Sequence, residues 1–434
     1  MIVFPEVGVY GMMFHRRRDL VFPYLEYIPD TNSSWNPCQH PMLIDETEIQ
    51  RALSCMARDN SMYVVANIGD KQPCKQTSDS LCPPDDHYQY NTNVVYDPSG
   101  KMVAKYHKHN LFYEDQYDQP HHTEVVTFET PFGRFGVFTC FDILFEHPPI
   151  DLISKHGIQN IVFPTAWMDA SPFFTSIQFH SAFAAGLGIN FLSANIHWPK
   201  YHFHGSGIYT PDGPAAYYYN TSIGSTAMLL VKEIPVIRQP QDVYGLHRQP
   251  QHNADKAMAS EILRADLFYD TFNLVQLRHP FGTHQVCHNS LCCSVSYNIT
   301  STGRSMENEF FAVGAFDGLH TFEGSYYLQV CTIIRCLKTR NATVCSDRPN
   351  EITNFDLISF DMHGNFSTPY VYPEILLAGQ EDFTLASYPR QWTYRGGRLK
   401  TTRPFHDPLA VAALFGRWYS RDQETYPSKA EIVR

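Results

Sequence analysis

Apolar and polar positions alternate with two different periods along the first half of the chain. Short runs rich in β-branched residues are separated by stretches of helical spacing. The first run, Ile2-Val3-Phe4, stops at Pro5-Glu6, and a strand is expected there. Asp45 with Glu48 has capping-box spacing, and Ile49, Leu53 and Met56 follow at helical intervals, so the pattern predicts an amphipathic helix from Asp45 to about Asn60. A strand is expected over Met62 to Ile68. A hairpin follows, from NVVY through the turn Asp97-Pro98-Ser99-Gly100 to MVAKYHK, ending at Lys108. FGVFT, Phe135 to Thr139, predicts another strand that delivers Cys140 at its C-terminal end. A helix is expected near Ile150 to His156, then a strand in IVFPTAW. A second helix over Ser176 to Gly188 and a strand in INFLSANI complete the alternation.

The alternation ends near Val231. Residues 233–258 contain RQPQ twice, at Arg238 and Arg248, with little apolar periodicity, which places a linker between residues 1–232 and 259–434. The second part is richer in short strands, FFAVGAF and SYYLQVCTIIRC among them. It holds six of the eleven cysteines, Cys287 to Cys345, and is expected to be β-rich and disulfide-stapled. Those six allow 15 pairings, which spacing does not decide.

With 434 residues, 43% apolar and 14% aromatic, the chain can bury a large core in two or three domains. A net charge of −11 and a pI near 6.0 disfavour a phosphate-binding surface and hence a nucleic-acid partner. The tight basic run Arg16-Arg17-Arg18 reads as a solvated loop rather than a docking patch. No apolar run approaches the ~20 residues that cross a bilayer. Eleven cysteines without zinc-finger spacing, and sequons at Asn32, Asn220, Asn298, Asn341 and Asn365, point to a secretory route and an extracellular, glycosylated protein. MIVFPEVGVYG carries Glu6 and Pro5 and no basic segment, so it is a poor leader. The missing leader is read as a loss from the chain, not as evidence for the cytosol.

Glu6, Lys108 and Cys140 each follow an apolar run, and strand ends on one edge of an α/β sheet face one crevice. A thiol needs a nearby base or cation to become a nucleophile, and Glu6 and Lys108 offer both. A carbonyl under attack needs donors for its developing charge, which the Lys108 ammonium and the backbone N–H of Phe141 can supply; Glu6 can return a proton to the leaving amine. Taken singly, each residue has a duller explanation: an inert core thiol, a turn glutamate, a hairpin-end lysine. The odd cysteine count favours Cys140 as the thiol left unpaired. The histidine clusters His107/His109, His121/His122 and His202/His204 lack metal-site spacing, so no metal is expected, and no nucleotide-binding or serine-hydrolase motif is present.

The segments IVFPEVGVYG, YVVANIGDKQPC, YQYNTNVVYDPSGKMVAKYHKHNLF, FGVFTCFDILF, IVFPTAWM and GSGIY, with AFDGLHTFEGSYYLQVC and LFGRWY in the second half, resemble the vanin and biotinidase branch of the nitrilase superfamily across nearly the whole chain. The resemblance implies an α/β fold: a nitrilase-type αββα sandwich followed by a β-rich, disulfide-containing second domain. It implies a cofactor-free hydrolase that cleaves a linear amide through a cysteine thioester. The triad it implies falls on Glu6, Lys108 and Cys140, and the substrate it implies is a small-molecule amide, pantetheine first and biocytin or a biotinyl peptide second. It places Glu114 as a second carboxylate beside the lysine and Trp167 at the substrate cleft, though an aromatic at that position is equally suited to a core. Family members carry a leader, a strand and a helix before IVFPE. This chain starts at that segment, so an exposed edge is expected in the sheet carrying Glu6. The C-terminus, Glu431-Ile432-Val433-Arg434, shows no hydrophobic tail for a lipid anchor. From a different class, a catalytically silent extracellular carrier remains a rival, opposed by the intact triad.

Overall fold

The computed structural model describes residues 1–12, 16–31, 35–40, 47–237, 261–278, 280–301, 309–338, 343–346 and 355–422. Two sheets face each other in its first part. One has the order β1 (Ile2–Val3), β2 (Val64–Pro73), β3 (His87–Tyr96) and β4 (Met102–His107). The other runs β5 (Val126–Thr130), β6 (Gly133–Val137), β7 (Asn160–Thr165), β8 (Asn190–Asn195), β9 (Ser206–Thr210) and β10 (Gly213–Tyr218). Alternation along the strands sorts side chains between layers. Val65, Val95 and Ala104 meet Val137 and Val162 in the core between the sheets, whereas Val64, Ala66, Val94 and Tyr96 face outward. A short helix, α1 (Arg18–Val21), precedes α2 (Glu48–Asp59), whose Leu53 and Ala57 cover that outer face. The far face of the second sheet is covered by α3 (Ser176–Leu187) and by a π-helical stretch, Glu146–Lys155. The αββα order is therefore present. Ile161 on β7 is fully buried on the helix-covered face of the second sheet, where it and Leu152 of the π-helical stretch both approach Gly136, and Ile161→Ala is expected to lose about 2–5 kcal/mol of stability, read as a lower denaturant midpoint at unchanged m-value.

Several boundaries differ from the sequence expectation. Asp45 lies outside the described residues, and the residue before α2 is Thr47, with no side-chain cap. The helix expected at Ile150 to His156 begins earlier: within the stretch Glu146–Lys155, His147 is extended (φ −106°, ψ 128°), and helical backbone runs on from Pro148 and Pro149, which a first turn tolerates. β6 ends at Val137, and Cys140 opens a 3-10 turn, Cys140–Leu144, instead of closing a strand. The hairpin turn is as expected: Asp97 accepts from the Ser99 and Lys101 N–H groups, and Gly100 takes φ 86°. Arg18 is not merely solvated, for its guanidinium bridges Asp85 and Asp118. β1 is an edge strand, hydrogen-bonded parallel to β2 on one side, with no partner on its other side among the described residues.

From Leu263 onward the chain forms two antiparallel sheets. The first contains, in order, Leu263–Leu267, Asp270–Leu277, Glu309–His320, Tyr326–Lys338, Leu409–Arg417, Val371–Ala378 and Phe383–Leu385, with Thr343–Ser346 also paired to Tyr326–Lys338. The second contains Phe281–His288, Leu291–Ser301, Phe355–Gly364, Arg398–Thr401 and Trp392–Arg395. Residues such as Val275, Val295, Ile333, Leu357 and Leu414 form the core between them. The six cysteines of this part pair among themselves, as Cys287–Cys292, Cys293–Cys331 and Cys336–Cys345. With Cys38–Cys55 and Cys74–Cys82 these make five disulfides, and Cys140 is left free. The linker expected at residues 233–258 lies outside the described residues beyond position 237, including both RQPQ repeats.

Candidate active site

Each of the three principal candidates stands just beyond a strand. Pro5, which cannot donate a ladder hydrogen bond, ends β1, and the next residue, Glu6, turns into the space between the sheets with 2% of its surface exposed. Lys108 follows β4 directly and is equally buried. Its Nζ donates to Glu6 Oε1 at 2.8 Å and to Glu114 Oε2 at 2.5 Å. One ammonium thus bridges two carboxylates. Asn91 Nδ2 does the same from β3, reaching Glu6 Oε1 at 2.8 Å and Glu114 Oε1 at 2.7 Å. The Ala166 N–H holds the other Glu6 oxygen at 2.8 Å.

An asparagine ladder underlies this arrangement. Asn67 on β2 pairs with Asn93 on β3, and its Nδ2 donates to Asn91 Oδ1 and Asn93 Oδ1. Its Oδ1 accepts from the Val7 N–H, which fixes the chain on the far side of Glu6. Asn93 Nδ2 in turn donates to Thr139 Oγ1 at 2.7 Å, immediately before Cys140. All three amides are buried on the inter-sheet face, so the ladder links the carboxylate side of the site to the thiol side.

Cys140 is buried in left-handed backbone, φ 45°, which a non-glycine residue holds only when its surroundings impose it. Thr139 and Asp142 cap the turn reciprocally, and Asp142 also accepts from Tyr106, the Asn110 N–H and the Asn110 amide. Burial pushes the Asp142 carboxyl up to about 6, against the pull of Tyr106, Asn110 and Lys108. Burial likewise pushes the Cys140 thiol well up. Glu6 adds to that rise, and Lys108 and the Thr165 hydroxyl oppose it. For Lys108, burial disfavours the ammonium, but Glu114 and Glu6 outweigh it and hold the group protonated. Burial thus favours a neutral Cys140 thiol near the Lys108 ammonium, which hydrogen-bonds the side chains of Glu6 and Glu114. Phe141 lies in the first turn of a helix, where N–H groups have no intrahelical acceptor.

Trp167 is placed differently. Its ring packs on Phe179, edge-on to Phe174, and its Nε1 donates to Phe174 O, so the indole is part of an aromatic cluster with α3; its neighbour Ala166 donates its N–H to Glu6. The expected histidine clusters do other work: His107 sits between Asp70 and Glu124 at 2.9 and 2.8 Å, and these carboxylates raise its pKa against the effect of burial. Among the described residues no group of three or more His, Cys, Asp or Glu is arranged to hold a metal ion. Asn298 and Asn365 are exposed and Asn220 partly so; Asn32 and Asn341 lie outside the described residues. Asn67, Asn91 and Asn93 escaped the sequence reading. Gln89, Asn91 and Asn93 recur at period two along β3 and put polar groups on one buried face, a signal that could have revealed the two asparagines.

Residues 1–186 match the carbon-nitrogen hydrolase family and residues 262–422 the vanin C-terminal domain. The chain is 44% identical to the pantetheinase of Mus musculus over 428 residues, covering 97% of this chain and 80% of that protein. It is 42% identical to the Homo sapiens pantetheinase over 429 residues, again 97% and 80%. Identity to the Homo sapiens biotinidase is 37% over 455 residues, covering 97% and 80%. The family match and these relatives define the class, a carbon–nitrogen hydrolase that acts on amides other than peptide bonds. Within that class the chain belongs to the vanin family.

Proposed function

We propose that the protein hydrolyses pantetheine to pantothenate and cysteamine, with Cys140 as nucleophile. The single observation that carries this reading is the unpaired, buried Cys140 thiol beside a lysine clamped between Glu6 and Glu114. Greater identity to the pantetheinases than to the biotinidase favours the pantetheine amide.

With two carboxylates and one ammonium already enclosed, a free thiolate would add a second uncompensated negative charge. Proton transfer from the thiol to Glu6 as Sγ attacks avoids it, since the charge moves onto the carbonyl oxygen. There Lys108 and the Phe141 N–H receive it. Collapse of the tetrahedral intermediate breaks the C–N bond, and Glu6 returns the proton to the departing cysteamine. Water then gives a proton to Glu6 and attacks the thioester; pantothenate leaves and the proton returns to the thiol. None of these steps calls for a metal or an organic cofactor. Glu114 fixes the position of Lys108, so Glu114→Gln is expected to lower kcat about 10–100-fold with a smaller change in KM, measured by steady-state amine release.

Five disulfides and the exposed sequons Asn298 and Asn365 support a secreted, glycosylated protein. Among the described residues, no helix is long and apolar enough to cross a membrane. The reading is tested by amine release from pantetheine and from biocytin, side by side, with wild-type protein and Cys140→Ala. Turnover of biocytin alone would reassign the substrate to the biotinidase type. Silence on both, with a Cys140 that iodoacetamide does not label, would favour the carrier.

A further inference from the structure

The nucleophile's turn is held at both ends, and the two holds come from different domains. At its start Thr139 is fixed by Asn93 and Asp142, all within the first pair of sheets. At its end Leu144, last residue of the turn, presents a carbonyl with no acceptor role left inside the turn. Arg417, at the end of the strand Leu409–Arg417 in the second domain, donates Nε to that carbonyl at 2.8 Å. The arginine is completely buried, and both of its Nη nitrogens are also engaged. Nη1 reaches Tyr327 O at 2.6 Å and Asp422 Oδ1 at 3.1 Å, and Nη2 reaches Asp422 Oδ2 at 2.5 Å. Its Cζ lies 4.9 Å from the centroid of the Tyr326 ring and 4.6 Å from that of the Tyr419 ring. The same domain touches the turn a second time, where Gly324 packs so closely on Phe141 that an added Cβ would come within 3.2 Å of the ring.

A guanidinium taken wholly out of water carries a desolvation cost, so its fork must be matched by fixed acceptors. Here one acceptor is the nucleophile's own turn. We propose that Arg417 is a positioning residue for catalysis: by holding the Leu144 carbonyl it keeps the Cys140–Leu144 turn closed, and with it the left-handed backbone of Cys140 and the aim of the Phe141 N–H. The vanin-type domain then completes the active site mechanically, without contributing an atom to the chemistry. Released at Leu144, the turn relaxes toward ordinary backbone at Cys140, and Sγ and the Phe141 N–H lose their common target.

This inference rests on Cys140 being the nucleophile but not on which amide is cleaved. The test compares Arg417→Met and Arg417→Lys with Arg335→Lys as control. Arg335 is another buried arginine of the same sheet, bound to Leu409 O and Glu309 far from the turn. Thermal midpoint, kcat and KM for pantetheine, and the rate of Cys140 alkylation by iodoacetamide across pH are measured for each. The expected result is a kcat at least tenfold lower in Arg417→Met with KM within about threefold, an altered alkylation pH profile, and partial rescue in Arg417→Lys. Arg335→Lys should keep kcat and alkylation within about twofold of wild type even where its midpoint falls. If Arg417→Met does not fold, Asp422→Asn, which loosens the guanidinium without removing it, should show the same changes in smaller degree. The proposal is overturned if a folded Arg417→Met or Asp422→Asn keeps the wild-type kcat and alkylation profile, or if Arg335→Lys depresses them equally. Wild-type protein inert toward pantetheine but with an Arg417-dependent alkylation profile would refute the substrate and leave the positioning role standing.

Discussion

Cys140→Ala is expected to lower amine release from pantetheine by at least ~10⁴-fold, because no other group near Lys108 can form the covalent acyl intermediate. Folding should be retained. The thiol engages no disulfide, and removing a single sulfur leaves Thr139, Asp142 and the asparagine ladder in place. Circular dichroism and the thermal midpoint distinguish loss of chemistry from loss of structure. Residual turnover within tenfold of the wild type would exclude Cys140 as the nucleophile.

Glu6→Gln should separate two properties that usually fall together. Turnover is expected to drop about 10²–10⁴-fold, since the amide cannot carry the proton from the thiol to the leaving amine. Alkylation of Cys140 at neutral pH should instead become faster. The Glu6 charge is one of the causes that hold the thiol up, and its removal leaves the thiolate beside Lys108 with one fewer negative neighbour. The pKa therefore falls, and more thiolate is present at any pH below it. Stopped-time alkylation followed by mass spectrometry reads the effect. Slower alkylation in this variant would contradict the charge balance described for the resting site.

The elements that place the three principal residues were legible because each follows a short run rich in β-branched and aromatic residues. Ile2-Val3, MVAKYH and FGV read as strands on that composition and on the turn signals beside them. What surrounds them was not legible, for physical reasons that differ from residue to residue. Asn67 and Asn93 satisfy each other only across strands 26 residues apart, a pairing that exists once register is set. Arg417 looks like a strand-end cation until the fold brings Leu144, 273 residues away, under its guanidinium. Pro148 and Pro149 suppress helix in any local reading, yet as the entry to a π-helical stretch they are tolerated. Trp167 carried two readings in the sequence, cleft and core; its packing on Phe179 and edge-on contact with Phe174 come from residues whose placement only the fold supplies.

Helix α3 has no face for water. Eleven of its twelve residues are buried. One side carries Phe183 against Phe138 and Phe191 of the catalytic half, and another presses Phe179 and Phe183 on Tyr372 of the vanin-type half, with Gly186 so close to Tyr372 and the Val371 carbonyl that no Cβ fits. A helix enclosed in this way cannot retain its place when either neighbour melts, because parting the halves would bare aromatic surface that only the other half covers. The two sequence domains consequently share one cooperative unit, and heat should remove catalysis and both sheet pairs together, in a single endotherm, rather than shedding one half and sparing the other.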